Sequence, residues 1–227
     1  MEAFSAQGAR VAFLDVDVDA AAALDDGIAS GGHPRPWFRR TDLSDLADLD
    51  AAITEAAAAL GDIEILLNNA ANDQRHTLTE VTPEMFDANV AVNLRHLVFA
   101  AKAVAPAMKR RGGGVIINTG SMSWRAGFTG MPLYVMAKAA IEGLTRGLAR
   151  ELGGDGIRVN SLIPGWVMTD KQLRLWVDDE AKALIARSQC LPGSVMPEDL
   201  ARMATFLASD DSRMITSQSF VVDGGWL

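Results

Sequence analysis

An α/β fold built on a doubly wound parallel sheet is what this sequence predicts, and three observations carry the prediction. Short apolar runs recur along the chain: "RVAFLDV", "PWFRRTD", "IEILLNN", "GVIINTG", "IRVNSLIP" and "QSFVVDG". Longer stretches of helical periodicity lie between them, the pattern of parallel strands joined by crossover helices. Several of the runs are nearly continuous in apolar residues instead of alternating, as expected for strands covered on both faces.

In chain order, "MEAFSAQG" reads as the back half of a helix ending in a tight turn at Gly8, and a strand follows from Arg10 to Val16. In dinucleotide-binding folds an acid at the end of such a strand holds the adenosine ribose, with a Gly-rich phosphate loop about 20 residues upstream. Asp15 occupies the acid's place, and counting back by that spacing passes Met1. The expectation is therefore a sheet lacking its first strand and phosphate loop. Helices are predicted near residues 18–29, 44–60, 82–111, 132–153, 170–188 and 197–208, punctuated by "GGHPRP", "RRGGG" and "GGDG". No linker or composition shift divides the chain, so residues 1–227 read as one domain.

The net charge of -8 argues against a nucleic-acid partner, because an acidic surface repels a phosphate backbone. A single cysteine, Cys190, forms no internal disulfide, and no apolar stretch is long enough to cross a bilayer. Residues 1–24 lack the basic start and cleavage site of a signal peptide, so a cytoplasmic location is expected. His33, His76 and His96 are scattered without paired-ligand spacing, and no metal site is predicted.

The only tyrosine, Tyr134, stands four residues before Lys138, which on a helix puts both side chains on one face. An ammonium beside a phenol favours the phenolate, so Lys138 is expected to lower the Tyr134 pKa toward that of a usable base. Ser121 follows the run "GVIINTG", at the sheet edge where open α/β sheets bind ligands. By itself it is equally a loop cap. "NNAA" at 68–71, Asn93 within "AVNLRH" and "PGWVMT" at 164–169 lie at or near the same edge.

Taken in this order, these residues make the chain resemble the short-chain dehydrogenase/reductases over essentially its whole length. The resemblance implies a Rossmann-like fold and a hydride transfer between a CH–OH group and a nicotinamide cofactor. It implies that Asn93, Ser121, Tyr134 and Lys138 are catalytic. Tyr134 would be the base, Lys138 its partner and ribose ligand, Ser121 the anchor of the reacting oxygen, and Asn93 the anchor of a proton-relaying water. It further assigns Asp15, Asp42, Asn69, Ala70, Pro164, Gly165, Val167 and Thr169 to the cofactor, alongside Tyr134 and Lys138. Ala71 stands where the family has glycine, and the TGxxxGxG loop does not occur in the sequence. With no arginine following Asp15 to receive a 2′-phosphate, NAD is expected over NADP. Gly143 and Gly147 on the Tyr134 helix either permit packing inside the domain or, as the family implies, pair subunits of a homo-oligomer, a dimer or tetramer.

Substrate contacts are sought among residues the family does not dictate. Asn72, Asp73, Gln74, Arg75 and His76 follow the fourth strand of the family's sheet at the rim, Trp124 follows Ser121, Trp166 the PG turn, and Gln172 and Trp176 open the covering segment, with Gln74, Arg75, His76, Gln172 and the three tryptophans expected to touch substrate. Aromatic faces suit sugar rings, and amides and charged groups suit hydroxyls. "SWRAG", "KQLRLW", "QCLP" and "DGGW" resemble the family's D-xylose and other aldose 1-dehydrogenases. The expected substrate is an aldose oxidised at C1. The alternatives are another alcohol, a 3-oxoacyl thioester, or a catalytically silent oligomerising partner.

Overall fold

A computed structural model describes residues 1–227. All six predicted strands form: β1 (Ala12–Asp15), β2 (Trp37–Arg40), β3 (Ile65–Asn68), β4 (Gly114–Thr119), β5 (Ile157–Pro164) and β6 (Ser219–Val222). The helices are α1 (Glu2–Ser5), α2 (Val18–Ser30), α3 (Leu46–Leu60), α4 (Pro83–Val90), α5 (His96–Arg111), α6 (Pro132–Leu152), α7 (Asp170–Leu175), α8 (Asp179–Ser188) and α9 (Pro197–Ala208). Every strand pair is parallel, but the strands divide between two sheets, β1-β2 and β3-β4-β5-β6. β1 pairs with β2 alone and β3 with β4 alone, so each keeps one open edge.

The larger sheet is covered on both faces. On one side Ile116, Ile157 and Val159 meet Ala101, Val104 and Met108 of α5 and Ala149 and Leu152 of α6. On the other, Val115, Ile117 and Leu162 meet Ala204 and Leu207 of α9, with Phe4 of α1 packed alongside. Burying such aliphatic side chains stabilises by about 1.5–3 kcal/mol each, which makes this two-sided core the main support of the fold.

Local chemistry sets the helix ends. Asp17, Asp45, Thr82, Thr169 and Asp178 each accept a backbone N–H of the first turn. The Asp178 cap divides the segment predicted as one helix over 170–188, because a second N-terminus must begin there. The helix expected over 82–111 is interrupted by a single π turn at Ala91–Arg95. Such turns widen a helix locally and re-aim its side chains. Gly165 lets the end of β5 pass close to β6, since a Cβ there would lie 2.6 Å from the Asp223 Cα.

Candidate active site

The carboxyl ends of β3, β4 and β5 open onto a cleft of about 260 Å³. The loop after β3 contributes Asn69, Ala71, Asp73 and Arg75, and the turn after β4 contributes Thr119 to Ser123. α6 presents Tyr134 and Lys138 one turn apart, and the segment after β5 supplies Pro164 to Val167, Thr169, Lys171 and Gln172.

Lys138 is 2% exposed, and its ammonium donates to the Thr119 carbonyl at 2.8 Å while lying 5.5 Å from the centre of the Tyr134 ring. Burial pushes Lys138 down to about 8, with the negative charge of Asp73 opposing the shift. Tyr134 is pushed up to about 12 by burial. Its Ser121 hydroxyl neighbour and Arg75 pull it back, and Asp73 adds to the rise. The expected lowering of Tyr134 by Lys138 is therefore corrected: both groups are withdrawn from water, and that desolvation disfavours both charged forms.

Asn93 sits in the π turn and does not line the cleft. Its carboxamide accepts the Asn72 N–H at 2.8 Å and donates to the Asn72 carbonyl at 3.1 Å, fixing the loop that carries Asp73 and Arg75. Ser121 lines the cleft and also caps the following turn, accepting the Ser123 N–H at 3.1 Å. Beneath these groups runs a buried polar chain in which Asn68 donates to Asn118 at 2.9 Å and Asn118 to Thr145 at 3.0 Å. It clamps β3, β4 and α6 together. Nothing in the spacing of these three residues signalled it.

Of the residues assigned to the cofactor, Asn69, Tyr134, Lys138, Pro164, Gly165, Val167 and Thr169 meet in the cleft. Ala70 does not line it. Asp15 and Asp42 stand apart at the ends of β1 and β2, engaged locally: Asp15 accepts the Asp17 N–H at 3.0 Å, and Asp42 accepts the Ser44 N–H and hydroxyl at 2.9 and 2.6 Å. Those Ser44 bonds hold the Asp42 carboxyl below its usual range. Arg40 is the register partner of Asp15, a cation beside the acid that counting forward from Asp15 overlooked.

Arg75, Trp166 and Gln172 line the cleft as expected of substrate contacts, whereas four others do not. His76 is buried as a latch, its ring meeting the Gln74 carbonyl at 3.0 Å and the Leu133 N–H at 3.4 Å. Gln74 is exposed outside the cleft. Trp124 turns away and donates to Glu142 at 3.0 Å, because that carboxylate, also paired with Arg125, offers its indole a partner. Trp176 stands behind Arg75, whose guanidinium stacks 4.8 Å from its ring. Asp73, expected at the rim, lines the cleft as well, and Phe128, Met131 and Lys171, which the sequence did not single out, add to the lining. Phe128 packs edge-on against Trp166 and Trp226, with centroids 6.1 and 5.8 Å away.

A family profile described as Enoyl-(Acyl carrier protein) reductase matches residues 1–227. D-xylose 1-dehydrogenase of Caulobacter vibrioides is 46% identical over 223 residues, 98% of this chain and 88% of that protein. The protein named "Probable galactose dehydrogenase GalD" of Rhizobium meliloti is 44% identical over 225 residues, 99% and 88% of the two chains. Among solved structures, a 7α-hydroxysteroid dehydrogenase complexed with NADH superposes with a TM-score of 0.92 at 30% identity, covering 98% of this chain and 86% of that one. A blue fluorescent protein from a metagenomic library, in complex with NADPH, superposes at 0.88 with 35% identity, covering 99% and 90%. The chain belongs to the short-chain dehydrogenase/reductase family.

For a short-chain dehydrogenase/reductase the donor set of the cleft fits the nicotinamide riboside end of the cofactor. Apolar Pro164 and Val167 line the cleft together with Asn69, Lys138 and Thr169, which offer polar groups. Asp15 and Asp42 offer acceptors suited to adenosine hydroxyl and amino groups. No TGxxxGxG turn occurs within residues 1–227 to cradle the pyrophosphate.

Proposed function

We propose that this protein is a dehydrogenase that oxidises an aldose at C1, with NAD preferred over NADP. The observation that carries the reading is the convergence of Tyr134, Lys138 and Ser121 on one cleft that also holds Asp73, Arg75 and Gln172 beside Phe128 and Trp166. Similarity to xylose and galactose dehydrogenases supports the substrate class. The bound nicotinamide supplies the hydride acceptor.

The chain's own residues handle the proton and the orientation. The Ser121 hydroxyl holds the C1 oxygen, and Tyr134 takes its proton as the C–H bond breaks. Holding the phenol in a buried site makes its ionisation costly, and the Ser121 hydroxyl and Arg75 offset part of that cost beside the Lys138 ammonium. Thr119 orients that ammonium through its carbonyl. Asn93 acts through Asn72, keeping the loop that carries Asp73 and Arg75 in register with the cleft.

Asp15 supports NAD by accepting hydrogen bonds from a 2′-hydroxyl and repelling a 2′-phosphate, while Arg40 beside it works in the opposite sense. A homo-oligomer is supported by the outer faces of α5 and α6. Gly143 and Gly147 are exposed, and nothing within the chain lies where their Cβ atoms would be. Phe99 and Met136 are exposed on the same pair of helices. Packing inside the domain therefore does not account for these glycines.

Initial rates with NAD and NADP against D-xylose, D-galactose, a hydroxysteroid and a 3-oxoacyl thioester test the proposal. Aldose turnover with a higher kcat/KM for NAD is expected. Turnover of the steroid or thioester with none of either aldose would overturn the substrate class, and a preference for NADP would overturn the cofactor assignment.

A further inference from the structure

We propose that Asp73 is the specificity-determining residue of the cleft, a carboxylate that accepts hydrogen bonds from two hydroxyls of a sugar ring while Lys171 and Gln172 hold it in place. The inference rests on the aldose reading and deepens it. Asp73 lines the cleft between the loop after β3 and α7, and its side chain is 18% exposed. One carboxylate oxygen meets the Lys171 ammonium at 2.7 Å, and the other accepts from the Gln172 amide at 2.8 Å. The Gln172 carbonyl oxygen in turn accepts the Trp166 indole N–H at 3.0 Å. A carboxylate offers about four acceptor positions, so these two bonds leave about two for a ligand.

Three features suit that remaining capacity to a polyol. Lys171 and Gln172 keep the carboxylate ionised and fixed in direction, and the group titrates below its usual range despite its burial. Hydroxyls are donors that match an ionised acceptor, and charge-assisted bonds of this kind are the strong ones. Trp166, tied to the same network, supplies an apolar face beside them for the ring's C–H groups. Arg75 lines the same cleft, and its Nε is buried without a partner.

The test measures kcat and KM of wild type, Asp73→Asn and Lys171→Met with D-galactose and its monodeoxy analogues. Asp73→Asn is expected to raise the D-galactose KM about 10- to 100-fold, with much less change in kcat, the range of one lost bond to a charged group. For an analogue lacking one contacted hydroxyl, the same substitution should raise KM by a smaller factor, because one of the two bonds is already gone. Lys171→Met should raise KM by a smaller factor while keeping that analogue pattern. An Asp73→Asn loss that is uniform across all analogues would mean that Asp73 only holds α7 in place, and would overturn the proposal while leaving the aldose reading intact.

The Trp166 indole resonance in a 15N NMR spectrum provides a readout independent of turnover. If no aldose is oxidised but D-galactose shifts that resonance saturably, and Asp73→Asn abolishes the shift, the dehydrogenase reading falls and the Asp73 site stands. Neither turnover nor a shift would overturn both.

Discussion

The four-stranded sheet and the two-stranded sheet of this molecule differ in how far their strands are withdrawn from water. In β4 every residue from Val115 to Thr119 is buried, whereas in β1 Ala12, Phe13 and Leu14 are half-buried and Asp15 is exposed. β3 is intermediate, and Leu67, beside its open edge, is exposed. The groups proposed to move the proton stand on the well-covered sheet and on α6. Those proposed to hold adenosine stand on the thinly covered one. Proton transfer needs geometry held to a fraction of an ångström, which dense packing provides. Recognition of a ribose tolerates more, and α3 helps tie the smaller sheet to the rest: Arg39 of β2 reaches its Asp48 at 2.6 Å, and its Ile53 packs against the main core.

The largest expected break in this comparison is chemical. Tyr134→Phe should lower kcat by about 10²- to 10⁴-fold, the contribution of a positioned general base, while cofactor binding and thermal unfolding stay near those of the parent. Retained turnover in steady-state assays would remove Tyr134 from the role of base.

Next is packing. Ile117→Ala, at a residue with no exposed surface, should cost about 2–5 kcal/mol in urea unfolding. Phe13→Ala in β1 should cost about 1–2 kcal/mol, since its ring stacks on Phe38 at 4.8 Å but is only half covered. Amides of β1 should also exchange with deuterium faster than those of β4. Equal costs and equal protection would erase the difference between the sheets.

A further difference is a pH dependence located in the larger half. His96, buried at the start of α5, is pushed from 6.5 down to about 4 by burial and by the charge of Lys138. Below 6.5 the unfolded chain takes up a proton that the folded chain refuses, so the contribution of neutral His96 is complete above 6.5 and is lost as pH falls toward 4. The loss amounts to about 3 kcal/mol at 1.36 kcal/mol per pH unit. Urea midpoints measured from pH 7 to pH 4 should fall over that window, and His96→Gln should flatten the fall. A parent profile that is flat between pH 6.5 and pH 4 would place the titration elsewhere.

The strands, most helices and the Tyr134–Lys138 pair were legible in the sequence because each depends on local rules. Apolar runs, Asp and Thr caps, and the four-residue helical spacing act over a few residues, and the structure follows them closely. The split at Asp178 is also local, an N-cap inside a periodic stretch. What required tertiary structure depends on which distant partner a side chain finds. Glu142 draws Trp124 away from the cleft, and the carbonyl of Gln74 and the N–H of Leu133 hold His76 in the core. Asp73 acquires its role from Lys171 and Gln172, about a hundred residues later, a pairing that no spacing announces. The titration of Tyr134 belongs to the same class. Adjacency on a helix placed a cation near the phenol, but the burial that raises its pKa comes from the walls of the cleft, which exist only once the loops after β3, β4 and β5 have met.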